Sequence, residues 1–259
     1  MKELDLLRQE LLSCDTQLVD ILMKRFDVVE KIMALKEKNQ MQILQPEQES
    51  RQKEALDIEL KGNVHQEEIA DIYERVLYNS KKIQGKKLLD YNIVLIGFMG
   101  AGKSTISAFL RDALAMDVVE MDQVIAEQQG MSISEIFETY GEEYFRNLET
   151  QLLIDMQSKQ NVIISCGGGV AMRERNVAEM KKNKVVLLKA DPQTILDRVK
   201  NSDERPLLNG HKNVEYIADL MEARRAKYEA AADIVVQTDG KSALEICEEM
   251  IRKLRSADE

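Results

Sequence analysis

The sequence predicts a multidomain chain: an all-α segment of three helices over about residues 1–88, then an α/β segment over 89–259 carrying a five-stranded parallel sheet. Three observations predict it. Apolar residues recur at three- and four-residue spacings through the first segment, with little β-branched alternation. From Ile93 onward, short apolar runs alternate with helical stretches, the pattern of parallel strands joined by crossover helices. The first of those runs leads into a Gly-rich stretch, Gly97-Phe98-Met99-Gly100-Ala101-Gly102-Lys103-Ser104, which opens a helical pattern.

A length of 259 residues suits one large domain or two modest ones, and 44% hydrophobic content is enough for real cores. Charged residues make up 32% and the net charge is -10. That acidic balance argues against general nucleic-acid affinity, which needs a basic face, but leaves room for anionic small substrates in an arginine-lined pocket. Cys14, Cys166 and Cys247 have no close pairing and give neither a disulfide framework nor a metal knot. The opening Met-Lys-Glu-Leu-Asp-Leu-Leu-Arg is charged and amphipathic rather than a signal peptide, and no run reaches membrane-spanning length. A cytoplasmic location with no membrane partner is expected.

In the first segment Leu4, Leu7, Leu11, Leu18, Leu22, Val29 and Met33 carry the helical spacing, and nothing breaks it from about Asp5 to Met41. Such a helix spans roughly 55 Å at about 1.5 Å per residue and needs partners beyond its own small domain. Leu44-Gln45-Pro46 breaks the pattern, a short helix runs to about Leu60, and Lys61-Gly62-Asn63 turns the chain into a third helix from about Gln66 to Gln84. One long and two shorter helices make a poor monomeric core and a good intertwined dimer. Arg25 and Lys36, about three turns apart, share nearly one face. Arg8 lies about 25 Å away along the axis, so it can join the same ligand only from a second copy of the chain. Cations on a long helix are also ordinary solvated residues, and spacing alone does not choose between the two roles.

These residues resemble the all-helical family of chorismate mutases. The likeness covers essentially the whole segment: Leu7-Arg8-Gln9-Glu10, Asp15-x-Gln17-Leu18-Val19, Arg25, Lys36, Ile43-Leu44-Gln45-Pro46-Glu47, and Ser80 with Gln84. The resemblance implies a domain-swapped dimer whose sites hold a dicarboxylate between Arg8 of one subunit and Arg25 with Lys36 of the other. It also implies that Lys36 faces the ether oxygen of the breaking bond, Glu49 the ring hydroxyl, and Ser80 and Gln84 the remaining oxygens. The reaction is a unimolecular Claisen rearrangement, which needs a compact conformer and positive charge where negative charge develops. Two positions depart from the family. Where it reads Asp-Pro-x-Arg-Glu, this chain reads Gln45-Pro46-Glu47-Gln48-Glu49. Gln45 still offers an amide to a hydroxyl, whereas Gln48 removes a cation near a doubly charged ligand.

In the second segment the predicted strands are Ile93–Ile96, Val118–Met121, Val162–Ser165, Val185–Leu188 and Ile234–Gln237. Ligands of such sheets bind at the carboxyl ends of the strands. There stands the Gly97–Ser104 P-loop, whose backbone N–H groups cradle phosphates, whose Lys103 reaches the β/γ-phosphates and whose Ser104 completes a Mg²⁺ shell. Gly100, Ala101, Gly102, Lys103, Ser104 and Thr105 are accordingly expected to bind a nucleoside triphosphate. Asp122, at the end of the second strand, is placed either to take a hydroxyl proton during phosphoryl transfer or to cap a helix starting at Gln123. Gly167-Gly168-Gly169 admits close approach of backbone to a ligand. Glu149 stands three residues after Arg146, positioned to hold its guanidinium, and Arg146 with Arg224 would clamp a carboxylate. Arg205-Pro206-Leu207-Leu208 reads as a lid bringing a cation over the phosphates.

Together these residues closely resemble shikimate kinase, from about Asn92 to the C-terminus: the P-loop, Asp122, Phe145-Arg146-x-x-Glu149, Gly167–Gly169, Arg198, Arg205-Pro206-Leu207-Leu208, and Arg224 with Tyr228. The resemblance implies that Asp122, Arg146, Gly168 and Arg224 bind shikimate, with Asp122 handling its 3-hydroxyl. It implies that Lys103 and Arg205 stabilise the transferring phosphoryl, that Arg198 stacks on adenine, and that Ser104 binds Mg²⁺. Glu120 stands where the family usually has Asp, so a longer-stemmed, water-mediated metal contact is expected. The leading expectation is a bifunctional enzyme using MgATP and shikimate at one site and chorismate at the other, as a homodimer through the N-terminal helices. A second reading gives residues 1–88 only a dimerising or metabolite-sensing role.

Overall fold

A computed structural model describes residues 2–200 and 213–257 and divides the chain into two compact units, Met1–Lys87 and Leu88–Glu259. The first unit is all helical, as predicted. α1 (Lys2–Lys38) is an unbroken helix of 37 residues, with Glu3 and Asp5 in its first turn and Lys36 and Lys38 in its last, charges that suit the helix dipole. α2 (Pro46–Leu60) starts on a proline, whose missing N–H costs nothing in the first turn. Gly62, at φ 83°, turns the chain toward α3 (Gln66–Leu88). The core is thin: Val29, Met33, Leu44, Leu60 and Leu77 are its buried apolar side chains among the described residues of this unit. The first half of α1 takes no part in it. Leu7, Leu11 and Leu18 are 57%, 63% and 51% exposed, although their spacing is that of a packed face.

The second unit is an α/β layer structure. Its strands are β1 (Ile93–Ile96), β2 (Asp117–Glu120), β3 (Val162–Ser165), β4 (Lys184–Lys189) and β5 (Ile234–Gln237). Among the described residues they form a parallel sheet in the order β2-β3-β1-β4-β5. Val94 of β1 pairs with Ile164 on one side and Val185 on the other. β1 and β3 are buried at every position, as strands covered on both faces must be, whereas edge strand β5 alternates buried and exposed. Below the sheet, the Asn92 amide donates to Lys159 O and Asn183 Oδ1, each at 3.0 Å, and its oxygen accepts from Val162 N at 3.0 Å. One buried side chain thereby holds the starts of neighbouring strands together.

The crossovers are α4 (Lys103–Leu114), α5 (Met121–Gln129) with α6 (Ile133–Met156), α7 (Glu174–Met180), and α8 (Pro192–Val199) with α9 (Val214–Ala231); α10 (Ala243–Ser256) follows β5. Ser132 and Ser242 open α6 and α10 with capping boxes to Glu135 and Glu245. The second strand ends one residue earlier than predicted, because Met121 is already helical and fully buried. Asp122 is therefore the second residue of α5, and Glu120 occupies the N-cap position, so the capping alternative for Asp122 does not hold. Among the described residues no helix is long and apolar enough to cross a membrane.

Candidate active sites

The Gly-rich stretch wraps the carboxyl end of β1. Gly97, Gly100 and Gly102 have φ of 146°, 80° and 100°, conformations that side chains disfavour. At Gly100 a Cβ would also fall 2.8 Å from Val199 Cγ1 of α8. The turn leads straight into α4, whose N-terminus favours anions. Lys103 folds back over its own loop, its Nζ donating to Gly97 O at 2.9 Å and Phe98 O at 3.2 Å. Ser104 Oγ donates to Glu120 Oε2 at 3.0 Å. The other oxygen of Glu120 accepts from Ser107 Oγ at 2.5 Å, and Ser107 is fully buried. Thr105 is exposed on the first turn of α4. Arg198 reaches across from α8, donating to Gly100 O at 3.1 Å and Thr238 Oγ1 at 3.3 Å.

The Gly167–Gly169 run after β3 joins this loop to the remaining polar residues. A Cβ at Gly167 would fall 2.7 Å from Asp122 Oδ1 and 3.0 Å from Glu149 Oε1, and one at Gly168 would fall 3.4 Å from Met99 N of the loop. At Gly169 a Cβ would overlap the Arg146 guanidinium. The carbonyl of Gly168 accepts from Arg224 Nη1 at 3.3 Å and from the Tyr228 hydroxyl. Backbone without side chains thus lets Asp122, Arg146 and Arg224 approach one place. Arg146 is held from two sides, by Glu149 Oε2 at 2.8 Å and Glu142 Oε1 at 2.8 Å, with its guanidinium 5.3 Å from the centre of the Phe145 ring. Glu149 is fully buried, and burial pushes its carboxyl up to about 7 against the pull of Arg146, the charge of Asp122 adding to the rise. Arg205 lies outside the described residues.

In the helical unit Arg25 meets Ser80, while Lys36 and Glu49 contact residues outside the expected set. Arg25 donates to Ser80 Oγ, which in turn donates to Val76 O at 2.7 Å, and its guanidinium stands 5.9 Å from the Tyr73 ring centre. Lys36 Nζ donates to Ile43 O at 2.9 Å, in the segment between α1 and α2. Glu49 Oε2 pairs with Lys81 Nζ at 2.5 Å, tying α2 to α3 one residue beyond Ser80. Gln84 is half-buried on the turn after Ser80. Arg8 stands on the exposed first half of α1 and faces Asp5 at 3.5 Å. Residues absent from the sequence reading are Ser107, Thr238 and Lys81. Ser107 follows Ser104 by three positions on one helix face, a spacing that could have found it. The other two come from distant segments and carry no local signal.

The comparisons with known proteins agree with this layout. The family model described as Shikimate kinase matches residues 99–255, and the one described as Chorismate mutase type II matches residues 7–85. A shikimate kinase of Dehalococcoides mccartyi is 44% identical over 165 residues, covering 63% of this chain and 93% of its own length. One from Persephonella marina is 40% identical, covering 63% of this chain and 99% of its own. Among solved structures, shikimate kinase from Acinetobacter baumannii in complex with shikimate is 29% identical with a TM-score of 0.63, covering 66% of this chain and 97% of that one. Shikimate kinase from Aquifex aeolicus is 38% identical with a TM-score of 0.57, covering 64% of this chain and 98% of that one. The chain belongs to the shikimate kinase family and carries, ahead of its kinase domain, a helical domain like that of the type II chorismate mutases.

Proposed function

We propose that the protein is bifunctional, phosphorylating the 3-hydroxyl of shikimate from ATP in its α/β unit and rearranging chorismate to prephenate in its helical unit. The observation that carries the first activity is the convergence of Asp122, Arg146 and Arg224 on Gly167–Gly169 beside the phosphate loop. Two arginines suit a planar carboxylate, and the Asp122 carboxylate in the first turn of α5 suits a hydroxyl proton. Asp122 takes that proton as the ring oxygen bonds to the γ-phosphorus, and the bond from that phosphorus to the β,γ-bridging oxygen breaks. Lys103 leaves its two loop carbonyls for phosphate oxygens, and Arg205 assists it. Arg198, on the far side of the loop, packs on the adenine.

Ser104 Oγ and the Glu120 carboxylate, 3.0 Å apart, form an all-oxygen donor pair that fits a hard cation such as Mg²⁺. Bound MgATP supplies the phosphoryl group and neutralises charge on it. Ser107 keeps one oxygen of Glu120 engaged, leaving the other toward Ser104. Coupled turnover with and without shikimate tests the reading: ATP consumption that ignores shikimate would defeat it.

The second activity is supported by the cations Arg25 and Lys36 with Ser80, Gln84 and Glu49, and by the bare apolar face of α1. Covering one of these half-exposed leucines contributes about 1 kcal/mol, so a homodimer through α1 is favoured by several side chains at once. In that dimer Arg8 of one copy reaches the site of the other. Purified full-length protein should convert chorismate, with turnover falling roughly 10²–10³-fold in Lys36→Ala. No turnover by a verified dimer would leave the helical unit a dimerising module.

A further inference from the structure

The cation missing at Gln48 has a counterpart elsewhere in the helical unit. Glu49, the residue expected at the ring hydroxyl, is ion-paired at 2.5 Å with Lys81 Nζ of α3. The Lys81 and Glu49 side chains are 23% and 34% exposed, partly shielded yet open to a small ligand. Lys81 is also the immediate neighbour of Ser80, which holds the Arg25 guanidinium. A ligand touching Glu49, Ser80 and Arg25 therefore lies beside the Lys81 ammonium. Gln48, in contrast, is an exposed residue of α2.

We propose that Lys81 is a substrate-binding residue of the helical site, supplying from α3 the positive charge that position 48 of α2 does not supply. The inference rests on the chorismate reading above and names a residue outside the set expected for it. Without a counter-ion, Glu49 would set a carboxylate against a dianionic ligand entering beside Arg25, Lys36 and the Arg8 of the other copy. Lys81 offsets that carboxylate at contact distance and adds its positive charge to the place the ligand enters. Repulsion between Glu49 and the ligand is thereby removed without displacing Glu49 from the hydroxyl it is expected to meet.

The test uses the full-length dimer with chorismate as the probe. Lys81→Met should raise KM roughly tenfold or more while kcat changes less, the pattern of lost charge-assisted ligand binding. Lys81→Arg should stay within about threefold of the parent, because it keeps the charge. Adding Gln48→Arg to Lys81→Met should recover most of the lost affinity, an effect that a purely structural lysine would not produce. Helical content and dimer mass of each variant, by circular dichroism and light scattering, separate binding loss from misfolding. A Lys81→Met protein within twofold of the parent, or a loss that Gln48→Arg does not relieve, overturns the role of Lys81 and leaves the mutase reading standing. A parent protein that neither binds nor converts chorismate overturns both.

Discussion

In the α/β unit, Lys103, Asp122, Arg146, Arg198 and Arg224 all lie against two short runs of glycine-rich backbone that follow adjacent strands of one sheet. In the helical unit, Arg25, Lys36 and Glu49 have partners within the chain, while Arg8 stands on a stretch of helix whose leucines face solvent. The α/β unit positions its cations by packing them on a buried sheet. The helical unit has a thinner core, and the first half of its long helix carries exposed leucines together with Arg8. On the function proposed here, a second copy of the chain completes the helical site, whereas the α/β site is complete within one chain.

The largest expected effect lies in the α/β unit. Asp122→Asn should lower shikimate phosphorylation by roughly 10²–10⁴-fold, read as kcat at saturating MgATP. A comparable loss of chorismate turnover in the same variant would break the comparison, since it would make the two sites one functional device. Next, Arg8→Ala should reduce chorismate turnover by roughly 10–100-fold, the cost of losing one charge-assisted contact. Gly169→Ala sharpens the packing side: its methyl collides with Arg146, and KM for shikimate should rise about tenfold as the guanidinium shifts.

A stability effect, separate from turnover, concerns the buried acid. The Glu149 carboxyl is raised to about 7 from an ordinary 4.5, so the folded protein binds more protons than the unfolded chain between those values. Its contribution to stability is full below 4.5 and is lost as pH rises through 7. Glu149→Gln should therefore remove a downward slope in stability across that window, on the order of 3 kcal/mol when denaturation curves of the two proteins are subtracted. A difference that is flat with pH would mean that Arg146 keeps the carboxylate charged throughout.

Much of this architecture was legible because local rules and tertiary packing agree. Pro46 marks the start of α2, the all-buried Ile93–Ile96 reads as a central parallel strand, and Glu149 three residues after Arg146 does hold its guanidinium. Asp122 was ambiguous because an acidic residue at the start of a helix caps as readily as it catalyses; α5 starts two residues before Gln123, which excludes the capping role. The Glu49–Lys81 pair was illegible, since α2 and α3 meet through long-range packing and one lysine among several on α3 carries no spacing signal. Ser107 was overlooked because a serine inside a helix usually marks nothing, yet it is buried and fixes Glu120.

The central claim is that the helical site needs residues from two copies of this chain. Mixing Arg8→Ala with Lys36→Ala protein, after dissociation and reassociation, tests it most directly. Random pairing makes half of the dimers mixed, and each mixed dimer has one site with both cations intact, so chorismate turnover should return to about a quarter of the parent rate. Turnover that stays at the level of the two inactive variants, in material shown to contain mixed dimers, would contradict the account.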